Sequence, residues 1–316
     1  MTATPSPAFA RRYQRLAWFT LAVNLAVILW GAYVRATGSG AGCGGSWPLC
    51  NGDVIPLSRT AETFIEYTHR ITSGIGLLLV IGLVYLARHF PPGQRVRRAA
   101  IASGIFIIIE ALIGAGLVLF DLVGGNTSTI RAFASAVHLS NTFLLLASIT
   151  LTGVWARSGG AGYRAPGRTS WAAMTVAFSG LILVGASGAI AALGDTLFPA
   201  ADLATAFAED FNSSTRLLVR LRVLHPFLAI AAGGYVLLGL RLDWIGEKSE
   251  QSQTIERRLA GLIVLQWAAG AVNVVLLAPI WLQLLHLFIA DLVWLAFVVY
   301  VEAQLFPKTA LHPPQQ

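Results

Sequence analysis

The segment ETFIEYTHRITSGIGLLLVIGLVYLA, residues 62–87, joins a polar beginning that contains Glu66, His69 and Arg70 to a long apolar remainder. It exceeds the roughly 20 residues that an α-helix needs to cross the hydrocarbon core of a bilayer. A helix also satisfies its backbone hydrogen bonds within one segment, as surrounding lipid requires. The segment therefore predicts a transmembrane helix.

Seven further segments have the same character, near residues 16–36, 98–120, 132–156, 169–193, 215–241, 258–278 and 282–305. Of the 316 residues, 56% are hydrophobic and 12% are charged, whereas soluble domains carry about 25% charged residues. The first segment is longer than the core of about 7–15 residues in a signal peptide, so we interpret it as a retained helix. The sequence predicts an all-α polytopic membrane protein with eight transmembrane helices.

Basic residues give the chain a net charge of +7, and they cluster before the first segment and in alternate loops. Cytoplasmic loops of membrane proteins carry such an excess of lysine and arginine. We therefore predict a multi-pass protein of the cell membrane with both termini in the cytoplasm. Because topology accounts for the basic charge, we expect membrane lipid and no nucleic acid as a partner.

The sequence repeats itself with an offset of 156 residues. This offset relates His69 to His225 and places Glu110-Ala-Leu-Ile-Gly114 on Gln266-Trp-Ala-Ala-Gly270. An even number of helices separates the copies, so the two halves run parallel. We predict two tandem four-helix bundles, residues 1–156 and 169–316, joined by a cytoplasmic linker at 157–168.

Four histidines occupy equivalent positions in these halves, on the second, fourth, sixth and eighth segments: His69, His138, His225 and His286. Each follows the predicted outer end of its helix by about 5–10 residues, or roughly 8–15 Å at 1.5 Å per residue. A lone histidine in a membrane often only bonds neighbouring helices. Four histidines at one depth in a repeated sequence instead favour two sites, each with two imidazoles that bind a haem iron.

Arginines at the outer helix ends suit the two propionates of a haem by charge and by their fork geometry. They are Arg35, Arg70, Arg131, Arg216, Arg220 and Arg222. The alternative is that these side chains reach toward the membrane interface without binding a ligand.

The two halves differ beside their first histidine. Glu66 lies three residues before His69, on the same helix face, whereas the equivalent position before His225 is Arg222. A buried carboxylate can transfer a proton or stabilise a cation, so we predict that the first half performs chemistry and the second holds a permanent cofactor. The alternative is that Glu66 only pairs with Arg70 at i+4. We interpret Glu110 as an interhelical hydrogen-bonding group.

Cys43 and Cys50 are the only cysteines, and both lie in the first predicted outer loop. An oxidising compartment permits a disulfide between them. In so short a loop the disulfide could be reducible or purely structural, and the sequence leaves both alternatives open.

Several motifs together resemble the haem A synthase family, and the resemblance spans nearly the whole chain. They are Gly31-Ala-Tyr-Val-Arg-Ala-Thr-Gly-Ser-Gly40, the loop Cys43 to Cys50 with Trp47-Pro-Leu-Cys-Asn-Gly52, and Glu66-Tyr-Thr-His-Arg70. Where the family usually has an Asp-Trp-Pro step, this chain has Ser46-Trp47-Pro48.

The resemblance implies oxidation of the C8 methyl group of haem O to a formyl group, through an alcohol and a hydrated aldehyde, to give haem A. It implies a haem b cofactor between His225 and His286. The substrate haem would lie between His69 and His138, with Glu66 as the catalytic carboxylate.

The same resemblance implies a Cys43–Cys50 disulfide near the substrate site. It also implies a haem O synthase and oxidase assembly factors as partners, together with an electron acceptor that the sequence does not identify.

Two other functions use similar residues. A di-haem cytochrome b also carries four helix-borne histidines, but it usually places its ligands at two depths, and these four map to one. A haem transporter or chaperone would not need the difference between Glu66 and Arg222.

Overall fold

The computed structural model describes residues 5–57, 60–158, 163, 165–212, 216–243 and 250–306. Ten α-helices form in these ranges: α1 (Pro7–Ala36), α2 (Ala61–Ala87), α3 (Arg95–Leu119), α4 (Thr129–Ser158), α5 (Arg168–Leu197), α6 (Leu203–Phe211), α7 (Leu217–Leu221), α8 (Leu224–Arg241), α9 (Glu250–Val275) and α10 (Ile280–Leu305). No strand occurs in the same ranges. Part of the predicted linker, residues 159–162 and 164, lies outside the described residues.

Eight helical segments are long and apolar enough to span a bilayer, and α7 with α8 counts as one of them. They match the eight predicted segments, which confirms an all-α, multi-pass membrane protein. Large apolar side chains point away from the helix contacts; on α2 and α3, Leu78 and Leu112 are more than 60% exposed. Such faces suit lipid rather than water.

The sixth predicted segment, 215–241, corresponds to one membrane-spanning stretch, Leu217–Arg241. A turn at Arg222 and Val223 divides it into α7 and α8. Pro226 explains the break, because proline has no N–H and its ring clashes with the carbonyl four residues earlier, here that of Arg222.

The short helix α6 was not predicted. Asp202 caps its first turn by accepting a hydrogen bond of 2.8 Å from the Thr205 N–H, which lowers the pKa of that carboxyl. Phe207 and Phe211 lie one turn apart and are more than half exposed. A nine-residue amphipathic helix is too short to span a bilayer, so hydropathy did not reveal it.

Each half forms a ring of neighbouring helices. In the first half α1 contacts α2, α2 contacts α3, α3 contacts α4 and α4 returns to α1; in the second, α5, α8, α9 and α10 repeat this order. The halves meet where α4 and α1 pack against α5 and α10. There Trp294 donates a hydrogen bond of 2.7 Å to the Phe143 carbonyl and stacks on its ring. This arrangement is compatible with two four-helix bundles.

One side of the bundle carries the ends of helices from both halves. Arg35, at the end of α1, donates to the Ala192 carbonyl and the Thr196 hydroxyl of α5 at 2.6 and 2.7 Å. It also donates to Gln283 of α10 at 3.0 Å. We call this the disulfide side, because the loop with Cys43 and Cys50 follows α1 there.

The four histidines lie near the disulfide side, as predicted. His69 is the ninth residue of α2, His138 the tenth of α4 and His286 the seventh of α10. His225 is the ninth residue of the segment that begins with α7.

Candidate functional site

In the second half, two imidazoles face each other across the bundle. The ring centroids of His225 and His286 are 6.1 Å apart, and the ring planes are nearly perpendicular, at 88°. Nδ1 of His225 lies 3.1 Å from the Ser187 hydroxyl on α5. This contact orients the ring and leaves Nε2 of His225 for a ligand.

The spacing of this pair suits a group that two imidazoles hold together, such as a haem. Metal-binding histidines almost always use their other ring nitrogen for a hydrogen bond, as His225 does with Ser187. In the described ranges no cluster of three or more histidine, cysteine or acidic side chains could hold a metal ion, so the candidate group is one that two imidazoles would hold.

In the first half, His69 lies on α2 and His138 on α4. Nε2 of His138 is 2.9 Å from Oε1 of Glu110 on α3. Nδ1 of His69 is buried and has no hydrogen-bond partner among the described residues. A buried polar atom without a partner is costly, and this one suits a site that is completed by another molecule.

Each of the four imidazoles packs against a glycine of the preceding transmembrane helix. A Cβ placed on these glycines would approach a ring carbon of the histidine at 2.8 Å for Gly31 and His69, 3.9 Å for Gly114 and His138, 2.9 Å for Gly188 and His225, and 3.1 Å for Gly270 and His286. The same contact between a glycine and a histidine occurs at equivalent helices of both halves, so the duplication extends to the packing of the site.

We expect Gly188→Ala to displace the His225 ring, because the added methyl group would lie 2.9 Å from its Cε1. Overpacking of this kind costs about 1–3 kcal/mol, equivalent to roughly 5- to 150-fold weaker binding at the second-half pair. Titration with haem, followed by absorbance, measures the effect. Gly234→Ala is the control, since a Cβ there meets nothing within 4 Å; equal affinities for the two variants would contradict the prediction.

Glu66 is 3% exposed and is engaged at both carboxylate oxygens. Oε2 accepts a hydrogen bond of 2.8 Å from the Cys43 N–H, and Oε1 pairs with the Arg70 guanidinium. The pairing with Arg70 that the sequence left open therefore exists. A carboxylate oxygen can accept more than one hydrogen bond, so this pairing leaves Glu66 able to contact a further group.

Arg70 and the disulfide together fix the loop over the start of α2. Cys43 and Cys50 are bonded, and Arg70 donates to the carbonyls of Ser46 and Leu49 between them. The loop, Glu66 and the turn of α2 that carries His69 thus form one connected unit.

Arg222, the counterpart of Glu66, is surrounded by acids. Its guanidinium contacts Oδ1 of Asp210 at 2.9 Å and Oδ1 of Asp195 at 3.2 Å, and its side chain is 9% exposed. Asp195 lies on α5 and Asp210 on α6, so this ion pair network attaches α6 to the break between α7 and α8.

The other predicted propionate partners differ in their surroundings. Arg131 is 4% exposed and donates to the carbonyls of Gly124 and Asn126 at 2.6 and 2.8 Å. Arg216 and Arg220 are exposed at α7, with the Arg216 guanidinium 4.7 Å from the centre of the Phe198 ring. Propionate binding by any of the six arginines stays a prediction.

Sequence reasoning missed the direct partners of the histidines. It gave Glu110 an interhelical hydrogen-bonding role, which its contacts confirm, but it did not identify His138 as the partner. It also missed Ser187 beside His225. The sequence repeat could have pointed to the surroundings of two histidines. Gly114 and Gly270, which pack against His138 and His286, belong to the stretches that define the 156-residue offset.

The sequence model of the family described as "Cytochrome oxidase assembly protein" (COX15-CtaA) matches residues 14–298 of this chain. A heme A synthase of Alkalihalophilus pseudofirmus is 39% identical over 128 residues, 40% of each chain. A heme A synthase of Shouchella clausii is 39% identical over 139 residues, 44% of each chain.

A longer similarity extends over nearly the entire chain. A protoheme IX farnesyltransferase of Thermus thermophilus is 44% identical over 302 residues, which are 95% of this chain and 49% of that protein. The chain therefore spans about half the length of that relative.

Proposed function

Because this chain belongs to the haem A synthase family of cytochrome oxidase assembly proteins, we propose that it oxidises the C8 methyl group of haem O to the formyl group of haem A. The duplicated histidine pairs near one side of the bundle carry this proposal. The first pair, His69 and His138, takes haem O as substrate. The second, His225 and His286, holds haem b, which supplies an electron-carrying iron when bound.

The residues of the second half suit a retained cofactor. Ser187 fixes the ring of His225, and the acids around Arg222 hold the break before α8 in place. The exposed Arg216 and Arg220 are available to haem propionates at this side.

The residues of the first half suit a reaction. A ring methyl group that loses electrons develops positive charge, and a nearby carboxylate stabilises such charge or accepts a proton. We assign this role to Glu66, which Arg70 and the Cys43 N–H hold in one orientation. A preorganised group of this kind needs no rearrangement during the reaction.

The orientation in the membrane follows from the charges. The basic loops lie opposite the disulfide side, so we place them and both termini in the cytoplasm. The disulfide and both haem sites then face the outside of the cell membrane, where oxidising conditions preserve a disulfide.

The name of the Thermus relative makes farnesyl transfer to haem b a second candidate. The matched region covers 49% of that protein, and the transferase activity can belong to the other half. The heme A synthase relatives match comparable shares of both chains, which favours oxidation as the activity of the shared region.

We expect expression of the full chain in a host that makes haem O but no haem A to produce haem A. Extracted haems are identified by chromatography and mass, and a host that makes only haem b serves as the second arm. Haem O appearing in the second host would establish the farnesyl transferase instead. Unmodified haems in both hosts would favour a di-haem cytochrome or a haem carrier.

A further inference from the structure

The fourth transmembrane helix of each half, α4 or α10, carries a histidine that contacts a polar side chain of the third, α3 or α9. Nε2 of His138 lies 2.9 Å from Oε1 of Glu110, and Nε2 of His286 lies 3.1 Å from Nε2 of Gln266. The same ring nitrogen is engaged in both halves, by residues at equivalent positions of the repeat. The partner is a carboxyl group in the first half and an amide in the second.

Glu110 is held in its orientation by donors on α4. Asn141 donates to Oε2 at 2.6 Å, and the Thr142 hydroxyl donates to Oε1. Both donors are buried, at 6% and 4% exposure. The Oε1 atom of Gln266, by contrast, is buried without a partner in the described part of the chain. The carboxyl group of Glu110 is therefore the more firmly positioned partner.

Binding of an iron through Nε2 would break either contact, because a ring nitrogen cannot serve both partners at once. Nε2 is also the ring nitrogen farther from the main chain. Two donors on α4 hold the Glu110 carboxyl group against His138, whereas the side-chain oxygen of Gln266 has no such donor among the described residues. Breaking the Glu110 contact would also leave a carboxyl group inside the bundle with fewer partners, which adds to the cost.

We propose that Glu110 makes haem ligation by His138 reversible, so that the first half can release its haem while the second half keeps its own. Glu110 is a positioning residue that competes with iron for His138, and Gln266 competes weakly for His286. The inference rests on the proposed function, since only a substrate has to leave after each reaction.

The test measures haem loss from the full-length protein in detergent, loaded with haem b as the probe in both halves. Excess apomyoglobin captures released haem, and absorbance follows the transfer. A His286→Ala variant assigns the phases, because it retains only the first-half pair. The variants are Glu110→Gln, Gln266→Glu and the double exchange.

We expect fast loss from the first half and slow loss from the second in the unmodified protein. Glu110→Gln should slow the fast phase roughly tenfold, and Gln266→Glu should accelerate the slow phase roughly tenfold, as expected for about 1.4 kcal/mol of hydrogen-bond energy. The double exchange should reverse the order of the two halves. Because the two single variants alter different halves, poor folding of one leaves the other as an independent test.

Unchanged rates of haem loss in the folded variants would overturn the role of Glu110. The proposed function would survive that result if the unmodified protein still forms haem A. If neither half takes up haem, the proposed function is wrong and this inference falls with it.

Discussion

Glu66→Gln is expected to lower the rate of haem A formation roughly 100- to 1,000-fold, the usual loss when one preorganised electrostatic group is removed from an active site. The substitution keeps the size of the side chain and one carbonyl oxygen, but it removes the negative charge. Turnover of haem O in membranes, followed by chromatography of extracted haems, measures the rate.

The structure indicates how to separate chemistry from a folding defect. Glu66 also holds the disulfide loop through the Cys43 N–H and Arg70, so the variant must be shown to bind haem O and to form the disulfide as the unmodified chain does. Arg70→Gln separates the two effects, because it releases the loop carbonyls and the ion pair with Glu66 but leaves the negative charge in place. A Glu66→Gln protein that binds haem O and turns it over at the original rate would rule out a catalytic role.

The largest effect on stability is expected for Arg222→Met. The Arg222 side chain is 9% exposed and neutralises Asp195 and Asp210. Removing one partner of a buried ion pair costs about 3–5 kcal/mol, and we expect about 3 kcal/mol because both acids retain some contact with water. The free energy of unfolding in a denaturant titration of the detergent-solubilised protein measures this loss.

Arg220→Met is the control for this prediction, since Arg220 lies two residues earlier and is exposed. Surface substitutions of that kind usually change stability by less than about 0.5 kcal/mol. Adding Asp210→Asn to Arg222→Met should restore part of the stability by removing one uncompensated charge. Equal unfolding free energies for Arg222→Met and Arg220→Met would show that the acids do not depend on the guanidinium.

The membrane-spanning helices, and the distance of each histidine from the start of its helix, could be predicted from the sequence. Both follow from local properties, namely the length of apolar segments and the position of a residue from the start of a helix. The break at Arg222 was also readable in principle, because Pro226 lies four residues later in an otherwise helical pattern.

The contacts that define the site could not be derived in the same way. Whether Glu110 meets His138 or another polar group depends on the rotation of α3 against α4, which the nearly uniform hydrophobicity of α3 leaves undetermined. The pairing of Arg35 with Thr196 and Gln283 joins residues 161 and 248 positions apart. Such separations carry no periodic signal in a single sequence.

Under the proposed function, the position of Arg35 would also bear on electron transfer between the two halves. One guanidinium joins the end of α1 to α5 and α10, so it links the two halves at the disulfide side. The two proposed haems would lie in different halves, and a guanidinium that links those halves near the histidines would limit changes in the distance that an electron has to cross.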